Sequence, residues 1–296
     1  FTGNKFEFRA VGSSANCAGP MMILNTIVAD QLNEFKQDVD AQIIKGVDKD
    51  EAIFKTLREY IIATKKILFE GNGYSDEWVK EAKKRGLSNV KSTPDALKIF
   101  TRKEFVKLFE KNNIMTEREQ HARYEIQLET YMKKIQIESR IIGEIALGII
   151  IPSALKYQSA LIENVKGLKE IAMGSAVASA KISSKKEILA GEIYEEVGGK
   201  QTDTFHIDFN SLAGSQMETI HEISEKVSAI KLKVYKMIEA RKKANAMDDA
   251  QLKANSYCEN VKPYFDEIRY HSDKLEFIVD DEMWALPKYR EMLFTR

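Results

Sequence analysis

The period of the apolar positions changes once along the chain. In the first ten residues Phe6 and Phe8 alternate with Lys5, Glu7 and Arg9, a period of two that predicts a strand with aromatics on one face and charges on the other. A lone strand has no partner for its backbone groups, so this one frays or belongs to a sheet whose other strands lie elsewhere. Gly12-Ser13-Ser14-Ala15-Asn16 reads as a loop, closed by Gly19-Pro20. Beyond it the period is helical almost throughout. Leu24, Ile27, Val28, Leu32, Phe35 and Val39 recur at the three-four spacing of one buried face, behind a Pro20 suited to a first helical turn.

A second helix is predicted from about Asp50, with Ile53, Phe54, Leu57, Tyr60 and Ile61 on its apolar side. Phe69-Glu70-Gly71-Asn72-Gly73-Tyr74 is a turn region, followed by a short helix carrying Trp78 and ending near Gly86. Thr93-Pro94 opens another. Thr101 with Glu104 and Thr116 with Glu119 have the spacing of capping boxes. After Thr116 the helices lengthen. Tyr124, Leu128, Tyr131, Ile135, Ile142, Ile145 and Ile149 form a seam of about seven turns, and Pro152 is expected to kink that helix. A second seam runs through Ile220, Ile223, Val227, Ile230, Val234 and Met237, a third through Val261, Phe265, Ile268 and Leu275. Three such helices pack most simply as an antiparallel bundle. Residues 174–210 give no firm pattern, and the tail with Trp284 and Pro287 is expected to dock.

Composition narrows the function classes. The 296 residues carry 45 Lys+Arg against 45 Asp+Glu, so no basic field exists to hold nucleic acid or an anionic membrane. The most apolar stretch, Ile141 to Leu155, is interrupted by Glu144 and Pro152 and falls short of the ~20 residues of a membrane span. Cys17 and Cys258 are too few and too far apart for a disulfide framework, which favours a reducing, cytoplasmic setting. The chain opens on Phe1 without a signal-peptide pattern and without Met, as a piece of a longer protein would.

The four His (His121, His206, His221 and His271) form no HExxH and no paired Glu-x-x-His, which disfavours a bundle-type di-metal oxidase; His221 reads as a surface residue. Gly71-Asn72-Gly73 lacks the frame of a phosphate loop, and no nucleophilic triad is visible. The one dense polar constellation is Lys5-Phe6-Glu7-Phe8-Arg9. Period two puts Lys5, Glu7 and Arg9 on one side of a strand, about 7 Å apart. A carboxylate between two cations suits a place where a divalent metal meets phosphates. Taken as a pattern alone, it is better explained by a solvent-facing ion-pair ladder, each contact worth ~0.2–1 kcal/mol.

A family resemblance reverses that balance. Asn4-Lys5-Phe6-Glu7-Phe8-Arg9, followed by Ala10 to Asn16 and the Pro20 helix, resembles the late catalytic strand of glutamine synthetase, and in this variant its type III branch. Phe69 to Trp78, Tyr270 to Glu276, Val279 to Trp284 and Leu286 to Arg290 resemble type III segments, and residues 93–125 resemble the end of shorter glutamine synthetases. The resemblance implies a mainly α fold: the C-terminal end of an α/β catalytic domain over 1–140 (one N-terminal strand, then helices), then a long-helix bundle extension over 141–296. It implies that Glu7 ligates one of two divalent cations (Mg²⁺ or Mn²⁺), that Arg9 contacts the transferring phosphoryl group, and that Lys5 contacts the nucleotide phosphates. Lys5 stands where shorter enzymes have Arg and lacks the bidentate fork. The implied reaction joins ammonia to glutamate with ATP through a γ-glutamyl phosphate, in a dodecamer of two stacked hexameric rings. The remaining metal and nucleotide ligands would lie upstream of Phe1, so the chain alone is expected to be inactive. The competing reading is a non-enzymatic helical scaffold in which the seams do the binding.

Overall fold

The structure, a computed structural model, describes residues 16–189 and 208–293. The expected strand at 5–9 lies outside them, and among the described residues every regular element is helical. The chain divides into two compact units, Phe1–Leu128 and Glu129–Arg296.

The first unit contains α1 (Ala18–Ile44), α2 (Lys49–Thr64), α3 (Asp76–Lys84), α4 (Thr93–Leu97) and α5 (Lys103–Lys111), and the start of α6 (Glu117–Ile145). Asp48 caps α2 by accepting from the backbone N–H groups of Asp50 and Glu51. Gly46, at a φ of +88°, closes α1: the Val47 N–H reaches back to the Gln42 carbonyl, a wrap that favours a residue without Cβ. Asn113, at a φ of +52°, does the same for α5. Helix α5 is tied to α1 where Lys111 meets Asp30 at 2.9 Å and Glu34 at 3.1 Å, and Asn112 donates to Asp30.

The apolar faces of α1 and α2 do not lie where their periodicity placed them. Helix α2 meets α1 with its small residues: Ala52 and Thr56 are buried, and Gln42 donates to Thr56 at 2.9 Å. Phe54, Leu57 and Ile61 stay open, as do Ile27, Val28 and Leu32 of α1. The reason is steric. Two helices approach closely where side chains are short, so the Ala-Thr face takes the α1 contact and the bulky face is turned away.

Thr101 does not cap α5. It ends a 3₁₀ turn, Lys98–Thr101, and its hydroxyl donates back to the Lys98 carbonyl. The Thr116 box does form: the Thr116 N–H donates to Glu119 at 2.8 Å, and the Glu119 N–H to the Thr116 hydroxyl at 3.3 Å.

The second unit holds the rest of α6, then α7 (Ile151–Leu189), α8 (Phe209–Asn245), α9 (Ala250–Ser256), α10 (Pro263–Ile278) and the short α11 (Tyr289–Met292). Helix α8 packs against both α7 and α10. Its buried positions Ile223, Ile230, Met237 and Ala244 recur every seven residues, with Val227 and Val234 between them, a heptad seam. Arg241 continues the seam as a polar member, donating to the buried Ser139 of α6 at 3.2 Å. Gly143 lets α6 come close, with Val234 and Met237 3.5 and 3.8 Å from where a Cβ would stand. Val279 and Trp284 join the same core, so the tail docks as expected.

Pro152 does not interrupt its helix. The turn before it, Ala146–Ile150, widens to a π-turn in which the Ile151 N–H bonds the Ala146 carbonyl. A second π-turn, Tyr257–Val261, stands before Pro263, and there the Lys262 N–H bonds the Tyr257 carbonyl. A proline ring clashes with the carbonyl four residues back, and a widened turn moves that carbonyl away. The extra residue also advances the seam, so Ala146, Ile150 and Ala154 are buried.

Continuity corrects the expectation about length. The helical run Glu117–Gly174 contains an 18-residue window of mean hydropathy 1.5, long and apolar enough to cross a membrane on those two measures. Glu144 is exposed and does not break it. Polar ties hold this helix to α8: Gln158 donates to the Ile220 carbonyl at 2.8 Å and the Ser224 hydroxyl at 2.6 Å, and Asn164 donates to Gln216 at 2.9 Å.

Candidate functional site

Lys5, Glu7 and Arg9 lie outside the described residues, so their mutual geometry forms no part of this site. The other segments that carry the family resemblance are on view, and the best built of them is Phe69–Trp78. The Phe69 and Trp78 rings stack with centroids 4.1 Å apart. Arg85, one residue past α3, lies 5.8 and 5.7 Å from the two ring centroids and donates to the Lys66 and Leu68 carbonyls at 3.1 and 2.9 Å. Glu81 holds the other side of the guanidinium at 2.8 Å, and Arg85 in turn holds the Glu81 carboxyl below the usual range. Asn72 accepts from the Tyr74 N–H, and Ser75 caps α3 by accepting from Trp78. Gly71 is required here, because a Cβ would come within 2.5 Å of the Phe69 ring, itself pinned against Trp78. The result is a braced loop that presents Tyr74, 91% exposed, to its surroundings.

Arg85 escaped the sequence reading. Its signal was its place seven residues after Trp78, two helical turns on the same side.

In the second unit a groove of about 750 Å³ runs between α8 and the start of α10. Lys233, Lys236 and Lys243 line it together with Glu239, Glu259 and Glu267, so it carries no net field for an ionic ligand. Lys233 and Glu267 are 2.5 Å apart. Beside them His271 has a buried Nδ1 without a hydrogen-bond partner. Burial, with Lys226 and Lys233 adding repulsion, pushes its pKa down, and only Glu267 opposes. Burial also raises the Tyr131 hydroxyl, assisted by the neighbouring Cys258 thiol. In the first unit the Tyr60 hydroxyl is pushed up to about 12 by its 2.5 Å bond to Asp38. His221 is on the surface, facing Glu225.

Among the described residues no three His, Cys, Asp or Glu side chains converge to hold a metal ion. They therefore do not by themselves fit Mg²⁺ or Mn²⁺, which need several oxygen ligands.

Residues 52–169 match the model of the glutamine synthetase C-terminal domain. The chain is thus similar to the C-terminal part of glutamine synthetases. Along all 296 residues it is 45% identical to a glutamine synthetase of Bacteroides fragilis. It is 31% identical to a type-3 glutamine synthetase of Dictyostelium discoideum over its full length, and 29% identical to a glutamine synthetase of Butyrivibrio fibrisolvens. In each case the chain spans little more than a third of the relative: 36%, 36% and 37% of its length. It corresponds to the C-terminal part of these glutamine synthetases, including the type-3 one. The braced loop and α6 thus lie inside the matched residues, which end partway along α7.

Proposed function

We propose that the chain is the C-terminal portion of a type III glutamine synthetase, a ligase that activates the glutamate side-chain carboxylate with ATP and passes it to ammonia. The observation that carries this reading is the match along the whole chain to proteins named glutamine synthetase, joined to the Lys5-Phe6-Glu7-Phe8-Arg9 segment. It favours the enzyme over a helical scaffold, which gives no reason for that segment. Residues 1–140 would be the end of the catalytic domain and 141–296 a helical extension. The two compact units divide nearby, at Leu128, inside α6.

In this reading Glu7 supplies one oxygen to a divalent cation, Mg²⁺ or Mn²⁺, whose other ligands lie outside the chain. The cation, when bound, neutralises phosphoryl charge. Arg9 donates to the transferring phosphoryl oxygens, and Lys5 places a positive charge on the nucleotide phosphates. Glutamate, ammonia and ATP are the substrates, a stacked double hexamer in the cytoplasm is the working form, and neither nucleic acid nor a membrane takes part. The test is Glu7→Gln in the full-length protein. The half-saturating Mg²⁺ concentration is expected to rise by about 10–100-fold or more, the range in which even residues behind a metal ligand affect affinity. An unchanged Mg²⁺ requirement removes Glu7 from the ligand set.

A further inference from the structure

Helix α2 has two usable faces, and only one of them is occupied among the described residues of its unit. Ala52 and Thr56, 0% and 1% exposed, form the face on α1. Phe54, Leu57 and Ile61 stand at 66%, 48% and 58% exposure, and at 100° per residue their centre lies about 150° around the helix from that contact. The charged Glu51, Lys55, Arg58 and Glu59 border it on one side. A helix whose small side is packed and whose bulky apolar side is bare is built to lie between two layers.

We propose that this stripe, Phe54–Leu57–Ile61, is the seat for the part of the protein that precedes this chain, which lays the face of a β-sheet on it. Two observations select that occupant. The chain spans 36% of relatives that it matches from end to end, which leaves about two thirds of a protein of their length to be placed. The period-two pattern at residues 5–9 calls for neighbouring strands, and none occurs among the described residues. A sheet that begins its last strand just before α1 needs helices to cover its apolar face, and α2 offers a bare one. The inference rests on the reading of the chain as the end of a longer synthetase.

The experiment places a photo-cross-linker in the full-length protein, Leu57→p-benzoylphenylalanine. The expected product keeps the mass of one chain under denaturing conditions, and its cross-linked peptide maps upstream of Phe1. A product of twice that mass, which would mean that a second copy covers the stripe, overturns the proposal, and so does irradiation without any cross-link. Should that variant fail to fold, Leu57→Cys in the same protein gives a second readout. Its maleimide labelling, separated by peptide mass from that of Cys17 and Cys258, is expected to be about ten-fold or more slower in native buffer than in denaturant. Equal rates overturn the proposal. Glutamine formation by the unsubstituted protein is assayed alongside and reports on the parent reading independently.

Discussion

His271 shows how one side chain couples the fold to pH. It lies on α10 with α8 lysines on one side, Lys226 and Lys233, and Glu267 on its own helix. Because burial and the lysines hold its folded pKa below the ordinary 6.5, the unfolded chain takes up the proton first. Its contribution to stability is complete above the ordinary histidine value and drains away as the pH falls through the lower, folded value. The melting temperature of the protein is therefore expected to fall from about pH 7.5 to 5.5, and to fall less in His271→Gln. Parallel curves for the two proteins would show that another group carries the dependence. Nothing in the spacing of the four histidines singled this one out. What distinguishes it is which residues of α8 stand opposite, and that is a tertiary fact.

At the scale of the element, two threonines with the same sequence signature behave differently. Thr116 and Glu119 close a capping box at the start of α6, and the Thr116 N–H and hydroxyl hold the Glu119 carboxyl below its ordinary range. Thr101, with Glu104 at the same spacing, belongs to the preceding 3₁₀ turn instead. Thr116→Ala is expected to cost about 0.5–2 kcal/mol in urea unfolding, while Thr101→Ala stays within about 0.5 kcal/mol. Equal losses would contradict the assignment. The lowered Glu119 pKa means that the box contributes at neutral pH and is lost as the pH falls through that value. The long seams were legible because a heptad or three-four stripe sustained over many turns leaves one face to bury: Ile223, Ile230, Val234 and Met237 are all buried. The π-turns before Pro152 and Pro263 were not legible. A proline announces a disturbed helix, and the packing on both sides decides whether it bends or widens.

For the whole molecule the central fact is partial coverage. A chain that matches entire glutamine synthetases over little more than a third of their length holds one proposed metal ligand, Glu7, and its described residues add no cluster. One carboxylate does not displace the hydration shell of Mg²⁺. Residues 1–296 alone are expected to form no glutamine from ATP, glutamate and ammonia; turnover by the purified chain, measured as phosphate release dependent on glutamate, would refute this. Bare apolar faces such as those on α1 and α2 are the kind of surface that a further layer of protein covers.

The sequence by itself determined that helices dominate the described residues, where the long seams run, and which family the chain resembles. These follow from local periodicity and from short motifs, both written along one dimension. Tertiary structure decided which face of α2 meets α1, which threonine caps, how two prolines are absorbed, and that Arg85 braces Phe69 and Trp78. Each of these depends on the shape and charge of a neighbour distant in sequence, and no periodicity encodes that neighbour.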